Sequence, residues 1–222
     1  MVSTMLTNPQ APLSVDTIQR ALREFKLEAT AEQAACIQRY VALLLRWNEK
    51  INLTAIREPL EILYRHFCES MYAAVAVPLQ QGRLADVGSG GGFPGLPLKI
   101  IRPELEVFLI ESNVKKATFL AETVRELGLD GVRVIVSRYE ELSEEVAPLD
   151  VVCSRALGDF GPLLSWGGSA QIAAKQAALW IGGGDLEVVQ KEAGWDWRDP
   201  IPIPHSLRRI LMVGTRRDSS MS

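Results

Sequence analysis

Residues 83–95 read RLADVGSGGGFPG, and the rest of the chain is organised around this stretch. A short apolar run interrupted by one acid, Asp86, is followed by four glycines among five residues, and Pro94 then opens a segment with helical spacing. A strand, a glycine loop and a helix start in this order predict a nucleotide-cofactor site at the carboxyl end of a β-strand. Glycine has no Cβ, so a ligand can lie against the backbone where the helix N-terminus offers free N–H groups.

A second strand-and-helix unit follows the first. Residues 107–110 form an apolar run that ends in Glu111, 25 residues after Asp86. A doubly wound sheet places the carboxylate that binds a ribose at about this distance. Residues 115–127 then have helical spacing and stop at Gly128. The two units predict an α/β fold, a doubly wound Rossmann-like sheet with an adenosine cofactor; a P-loop motif is absent, so NAD and S-adenosylmethionine (SAM) both remain open.

The residues before this sheet predict helices. Ser14 is a suitable N-cap, Thr30 and Gln33 have the spacing of a capping box, and Pro59 occupies a favoured first helical position. We therefore expect an N-terminal helical subdomain in residues 1–80 and a cofactor-binding sheet domain in residues 81–222. The further strands of this domain are predicted at residues 132–136, 150–153 and 177–181, at a proline-rich edge segment 196–204, and at residues 207–213.

Composition limits the function classes. The 222 residues are 47% apolar, and the three cysteines are scattered, so we expect a cytoplasmic globular protein without a disulfide framework or a metal site. Neither a signal peptide nor a membrane-spanning segment is predicted. The net charge is −3. Because phosphate neutralisation drives RNA binding, any RNA site on this chain must be a local basic patch.

Several blocks resemble one enzyme family. The sequence DVGSGGGFPGLPLKI at residues 86–100 resembles motif I of class I SAM-dependent methyltransferases, and specifically that of the RsmG (GidB) family of guanine-N7 16S rRNA methyltransferases. The resemblance covers nearly the whole chain, from about residue 43 to residue 209. Its other blocks follow in the family's order: WNEKINLT at 47–54, RHFCES at 65–70, VSRYEEL at 136–142 and CSRAL at 153–157.

This resemblance implies a reaction and a substrate. The cofactor is SAM, and the acceptor is N7 of a single guanine in 16S rRNA, the guanine of the 530 loop. The substrate is naked 16S rRNA or a small-subunit assembly particle, and we expect a monomeric enzyme. Guanine N7 has an available lone pair, so the reaction needs proximity and orientation more than a general base. No Asn/Asp-Pro-Pro-aromatic motif follows Cys153, and its absence agrees with this chemistry. We interpret Cys153 itself as an inert core thiol.

Spacing and resemblance together predict the site residues. Arg155 is the candidate catalytic residue, and its guanidinium pairs with either the methionine carboxylate of SAM or an RNA phosphate. Its structural alternative is a strand-end arginine in a surface salt bridge. RNA contacts are predicted for Arg65 and His66 in a lid element and for Arg208 and Arg209 beside the last strand. The predicted cofactor-binding residues are Asp86, Gly88, Gly90, Phe93, Glu111, Tyr139, Glu140 and Arg155.

The chain departs from the family at two places. Glu69 stands where the family usually has Asp, and Gly182 to Gly184 stand where it usually has Lys-Gly, which puts one phosphate contact in doubt. Three other functions remain open at this point. They are a SAM-dependent methyltransferase for a small molecule, a dinucleotide oxidoreductase, and a noncatalytic RNA-binding assembly factor.

Overall fold

An eight-stranded mixed sheet forms the centre of the molecule. The computed structural model describes residues 13–77, 80–142, 144–155 and 158–217. The strands are β1 (Gly82–Val87), β2 (Leu105–Ile110), β3 (Val132–Ile135), β4 (Val151–Arg155), β5 (Gln176–Gly182), β6 (Trp195–Trp197), β7 (Ile201–Pro202) and β8 (Arg209–Arg216). Their order is β3-β2-β1-β4-β5-β8-β6, with β7 paired to β8 outside this path.

The pairing of the strands confirms the predicted fold class. Strands β1 to β5 are parallel, whereas β8 runs antiparallel to β5, β6 and β7. Because β2 and β4 pair with opposite sides of β1, the chain crosses over at β1, which is where doubly wound sheets bind ligands. The predicted edge segment is also confirmed, since its prolines lie in and around the short strands β6 and β7.

Nine α-helices are present in the described residues, together with one π-helical turn. The helices are α1 (Val15–Glu24), α2 (Ala31–Asn48), α3 (Pro59–Ile62), α4 (Glu69–Met71), α5 (Ala73–Ala76), α6 (Gly95–Ile101), α7 (Val114–Leu127), α8 (Gly161–Gly168) and α9 (Leu186–Lys191). Both predicted caps are confirmed: the Ser14 hydroxyl accepts from the Thr17 N–H, and Thr30 and Gln33 form a reciprocal capping box.

The third predicted helix differs from the expectation. It begins at Pro59 as predicted, but the turn Leu63–Cys68 between α3 and α4 is π-helical. The α-helical spacing of Leu60, Leu63 and Phe67 predicts that they share one apolar face, but Leu60 is 42% exposed, whereas Leu63 and Phe67 are fully buried. A π-helical turn contains more residues than an α-helical one and therefore changes which side chains face the core.

Two hydrophobic clusters cover the two faces of the sheet. One face packs against α8 and α9. The other packs against α6 and α7 and against the helices before β1, so side chains such as Ile18 and Tyr40 belong to the same cluster as Leu109 of β2. The division of the chain at residue 80 stays a prediction, since the helices before it share this cluster with the sheet. In the described ranges, no helix combines the length and apolar character needed to cross a membrane.

Candidate functional site

The glycine loop connects β1 to α6 at the carboxyl edge of the sheet, and two of its glycines are required for different reasons. Gly92 has a φ of +85°, and a Cβ there would collide with the Tyr40 hydroxyl and approach Leu96 Cδ1 to 2.7 Å. Gly90 has a φ of +55°, but a Cβ there would meet only the Gly88 oxygen, at 3.7 Å. Gly92 therefore serves packing, whereas Gly90 keeps open space beside the backbone, as a cofactor loop requires.

Asp86 lies beneath this loop. Its carboxylate is fully buried, and Oδ2 accepts a hydrogen bond of 2.9 Å from the Gly95 N–H at the start of α6. Burial raises the pKa of Asp86 to about 7, although the Gly95 hydrogen bond lowers it. The side chain offers no surface to a ligand. Asp86 anchors the loop and the helix start from below, and its direct contact with the cofactor stays a prediction.

Glu111 joins the two loops that follow β1 and β2. Its Oε2 accepts from the Gly90 N–H at 2.9 Å, and its Oε1 accepts from the Asn113 N–H at 2.8 Å. Each carboxylate oxygen can accept a further hydrogen bond, so the group can hold the glycine loop and bind ribose hydroxyls together. Asn113 itself caps α7, because its Oδ1 accepts from the N–H groups of Lys115 and Lys116.

A cleft of about 140 Å³ opens beside Glu111, and we call it the cofactor cleft. The Tyr139 ring forms part of its wall and packs edge-on against Trp166, with 5.5 Å between the centroids. Burial raises the pKa of Tyr139 to about 12, so its phenol is neutral. The lining residues are Val87, Gly88, Ile110, Glu111, Ser112, Ser137, Arg138, Tyr139 and Glu140.

These groups fit the adenosine half of SAM. The cleft combines a carboxylate for the ribose hydroxyls with the aliphatic side chains of Val87 and Ile110 and the Tyr139 ring for the adenine. Gly90 leaves the adjoining loop without a side chain. Phe93 does not line the cofactor cleft. Its ring is stacked on Tyr40 at 5.6 Å and on His66 at 4.8 Å, so it joins the glycine loop to the π-helical turn.

A second group of polar residues lies at the carboxyl end of β4. The Arg155 guanidinium donates to the backbone oxygens of Arg65, at 2.5 Å, and His66, at 3.5 Å, and to the Ser70 hydroxyl at 3.2 Å. Its side chain is only 6% exposed. The alternative of a surface salt bridge is therefore wrong: Arg155 is an internal group that holds the π-helical turn against the sheet.

His66 links Arg155 to the loop after α2. Its Nδ1 lies 3.3 Å from Arg155 Nη2, and its Nε2 lies 2.6 Å from the Thr54 hydroxyl oxygen. Arginine only donates hydrogen bonds, so Nδ1 is the acceptor and Nε2 carries the proton. Burial lowers the pKa of His66 to about 4, and the nearby Arg209 and Arg65 charges lower it further. His66 is neutral at pH 7.

Two residues that contribute to this arrangement, Asn48 and Thr54, were not among the predicted site residues. Asn48 Oδ1 accepts from the N–H groups of Leu53 and Thr54, and its Nδ2 donates to the Thr54 oxygen. Asn48 thus orders the loop that brings Thr54 to His66. Both residues belong to the block WNEKINLT, but its spacing does not show that Thr54 contacts His66, twelve positions later in the chain.

Glu69 is surrounded by three arginines, and we call these four residues the arginine cluster. Glu69 Oε2 lies 3.0 Å from Arg209 Nη1 and 3.5 Å from Arg155 Nη2, and Oε1 lies 3.5 Å from Arg65 Nη1. Glu69 is 1% exposed. Burial raises the pKa of its carboxyl, while the Arg209 and Arg65 charges lower it.

The structure thus divides the predicted residues into groups. The cofactor cleft brings together Gly88, Glu111, Tyr139 and Glu140, while Arg65, His66, Arg155 and Arg209 meet around Glu69. Arg208 is exposed. Arg209 is the register partner of Gly182, where the chain departs from the family pattern.

Cys153 is fully buried, and burial raises the pKa of its thiol well above the ordinary value, so it is not a nucleophile. Ala156 and Leu157, the end of the fourth block, lie outside the described residues.

Known proteins similar to this chain carry consistent names. A family model described as GidB, rRNA small subunit methyltransferase G, matches residues 33–183. A ribosomal RNA small subunit methyltransferase G of Xanthomonas axonopodis pv. citri is 44% identical over 158 residues, which are 71% of this chain and 72% of that protein. The protein of the same name from Stenotrophomonas maltophilia is 39% identical over 190 residues, 84% of this chain and 86% of that one.

Solved structures support the fold. The crystal structure of a SAM-dependent methyltransferase from Aquifex aeolicus superposes with a TM-score of 0.53 at 15% identity, covering 67% of this chain and 89% of that one. At this identity the likeness concerns the fold alone. The family match extends over more than half of the chain and includes the glycine loop, Glu111 and Arg155. The chain therefore belongs to the GidB family of rRNA small subunit methyltransferases and is an enzyme that takes its methyl group from SAM.

Proposed function

We propose that this enzyme methylates N7 of a single guanine in 16S rRNA. The observation that carries the proposal is the position of the cofactor cleft and the arginine cluster at the carboxyl ends of strands in one sheet. The first offers a carboxylate and an open glycine loop, and the second offers guanidinium groups. A cofactor bound in the cleft and an RNA bound at the arginines would meet above β1 and β4, which are adjacent strands.

On the cofactor side, SAM supplies an electrophilic methyl group on its sulfonium. Glu111 binds the ribose hydroxyls while keeping its hydrogen bonds to the two loops, and the wall around Tyr139 and Glu140 holds the adenine. Asp86 fixes the loop through Gly95. These groups orient the cofactor and exclude water from one side of it, and none of them exchanges a proton.

On the RNA side, the guanine N7 lone pair attacks without prior deprotonation, so orientation is the main requirement. His66 agrees with this chemistry, because it is neutral and its ring is fixed by Thr54, Arg155 and Phe93. Arg65, Arg208 and Arg209 present positive charge on a chain whose net charge is −3. RNA affinity then rests on this local patch.

The proposal is tested by incubating the purified chain with labelled SAM and deproteinised 16S rRNA and mapping the product. We expect N7-methylguanine at one position and little transfer to small molecules. Assembly particles serve as a second substrate, and faster transfer there would identify the particle as the preferred acceptor. Methyl transfer at another guanine atom, or to no RNA at all, would refute the assignment.

Arg155 provides a sharper test of the same site. Arg155→Ala leaves the Arg65 and His66 carbonyls without their donor, and we expect single-turnover methyl transfer to fall by roughly 10²-fold, the loss that follows a misplacement of about 1 Å. Arg155→Lys should not restore the rate, since an ammonium cannot reproduce a planar fork with several partners. Full single-turnover activity of Arg155→Ala would remove Arg155 from the mechanism.

A further inference from the structure

Glu69 is the carboxylate shared by all three guanidinium groups of the arginine cluster. These groups come from separate parts of the chain: Arg65 from the π-helical turn, Arg155 from the end of β4, and Arg209 from the start of β8. Glu69 lies where the three meet, and its own backbone oxygen accepts a hydrogen bond of 2.8 Å from Trp180 Nε1. Its place is therefore set by the main chain as well as by its charge.

The three arginines differ in how much of their hydrogen-bonding capacity is used. The Arg155 side chain is 6% exposed, and its guanidinium donates hydrogen bonds to backbone oxygens and to the Ser70 hydroxyl. The side chains of Arg65 and Arg209 are 34% and 31% exposed, and each contacts Glu69 through Nη1. A guanidinium has five N–H donors, so both of these retain donors for an external ligand.

The charges around Glu69 do not balance. One buried carboxylate faces three guanidinium groups, which leaves an excess of positive charge next to the half-exposed Arg65 and Arg209. Burying a carboxylate costs free energy unless the carboxylate is paired. Beside a binding site for an anion, a residue that supplied only negative charge would also repel the ligand. The geometry points to a different role for Glu69.

We propose that Glu69 is a positioning residue that holds Arg65 and Arg209 as a pair for one phosphate of the RNA substrate. This inference rests on the proposed function. Glu69 contacts Nη1 of each guanidinium, so the remaining N–H donors can bind an incoming phosphate, which guanidinium groups bind bidentately. A carboxylate thereby increases affinity for a polyanion, the reverse of its direct electrostatic effect.

This reversal of sign makes the proposal testable with Glu69→Gln. If Glu69 acted on RNA only through its charge, its neutralisation would tighten rRNA binding. If it positions Arg65 and Arg209, rRNA binding should weaken by roughly 10-fold or more, the scale of one charge-assisted hydrogen bond. The dependence of affinity on salt should flatten, because fewer phosphate contacts release fewer counterions. SAM affinity, measured by calorimetry, should not change.

Glu106→Gln is the matched control. Glu106 also bridges two arginines, with Arg83 Nε at 3.2 Å and Arg133 Nη2 at 2.9 Å, but it lies near the amino end of β2. Its neutralisation should leave rRNA affinity and the salt slope unchanged. Tighter or equal rRNA binding by Glu69→Gln, or an equal loss in Glu106→Gln, would overturn the proposal.

A double-variant comparison covers the case in which Glu69→Gln fails to fold. Combining Glu69→Gln with Arg209→Gln removes one charge of each sign from the cluster, and this variant is compared with Arg209→Gln alone. In the Arg209→Gln background, we expect Glu69→Gln to weaken rRNA binding by clearly less than the roughly 10-fold expected in the parent, since only Arg65 then remains to be positioned and residues that act together are not additive. A full additional loss would contradict positioning through Arg209. If the parent enzyme itself neither binds nor methylates rRNA, the proposed function fails, and the role of Glu69 toward RNA fails with it.

Discussion

The cofactor cleft and the arginine cluster lie at the same edge of one sheet but are built in different ways. In the cleft, the Glu111 carboxylate is held by the N–H groups of Gly90 and Asn113, and every participating loop directly follows a strand. In the cluster, long side chains meet from positions as far apart as Glu69 and Arg209. The cleft therefore depends on backbone conformation, whereas the cluster depends on side-chain charge and packing.

Each region also buries one titratable group, and burial shifts the pKa values of the two groups in opposite directions. Burial raises the pKa of Asp86 to about 7 beneath the cofactor cleft, and it lowers that of His66 to about 4 beside the arginine cluster. In both cases the neutral form is favoured, because removal from water penalises the charged form. A base and an acid respond to this penalty with pKa shifts of opposite sign.

The largest expected effect comes from a substitution that disturbs the backbone conformation of the glycine loop beside the cleft. Gly92→Ala combines a φ of +85° with a collision against the Tyr40 hydroxyl and Leu96, so we expect a loss of roughly 2–5 kcal/mol in the free energy of unfolding. Gly184→Ala is the control, since its Cβ meets nothing within 4 Å. Urea denaturation measures both. Equal stability of the two variants would mean that Gly92 is not closely packed against Tyr40 and Leu96.

A smaller effect is expected from removing the carboxylate of the cleft. Glu111→Ala should weaken SAM binding by roughly 1.5–3 kcal/mol, the value of a hydrogen bond to a charged group. Glu126→Ala, on the exposed side of α7, should leave it unchanged. Calorimetric titration with SAM gives the affinities. Equal affinities of Glu111→Ala and the parent would place the ribose partner elsewhere.

The smallest effect tests the contrast between the buried acid and the buried base. Between pH 3.8 and about 7, folded Asp86 keeps a proton that the unfolded chain has released, so its contribution to stability falls as pH rises. Relative to the parent, Asp86→Asn should therefore gain about 1.4 kcal/mol from pH 5 to pH 6.

His66 should behave in the opposite way. Between about pH 4 and 6.5, the unfolded chain protonates His66 while the folded chain does not, so its contribution to stability rises with pH. His66→Gln should accordingly lose about 1.2 kcal/mol relative to the parent over the same interval. Urea denaturation at the two pH values measures both differences. Parallel trends in the two variants would contradict the opposite burial effects.

Local spacing was sufficient to predict the cofactor cleft. The order of strand, glycine loop and helix located β1, and the next apolar run located Glu111 at the end of β2. The same kind of signal predicted the caps at Ser14 and Thr30. All of these features are fixed by residues within a few positions of one another, or by the regular alternation of strand and helix, which a sequence displays directly.

The arginine cluster could not be predicted in the same way. Arg65, Arg155 and Arg209 were each expected at the site, but their common partner Glu69 and the π-helical turn that carries Arg65 were not. The burial of Asp86 beneath the loop was equally hidden, because strand alternation shows which face a side chain takes but not what covers that face.

The sequence by itself determined the order of strands and helices, the glycine loop, the acid that follows β2 and the membership of a methyltransferase family. Only the tertiary structure decided that Arg155 is internal, that His66 is neutral, and that one carboxylate serves three arginines. The physical reason is the range of the interactions. Backbone conformation and periodicity are local, whereas burial and charge pairing depend on which distant segments the fold brings together.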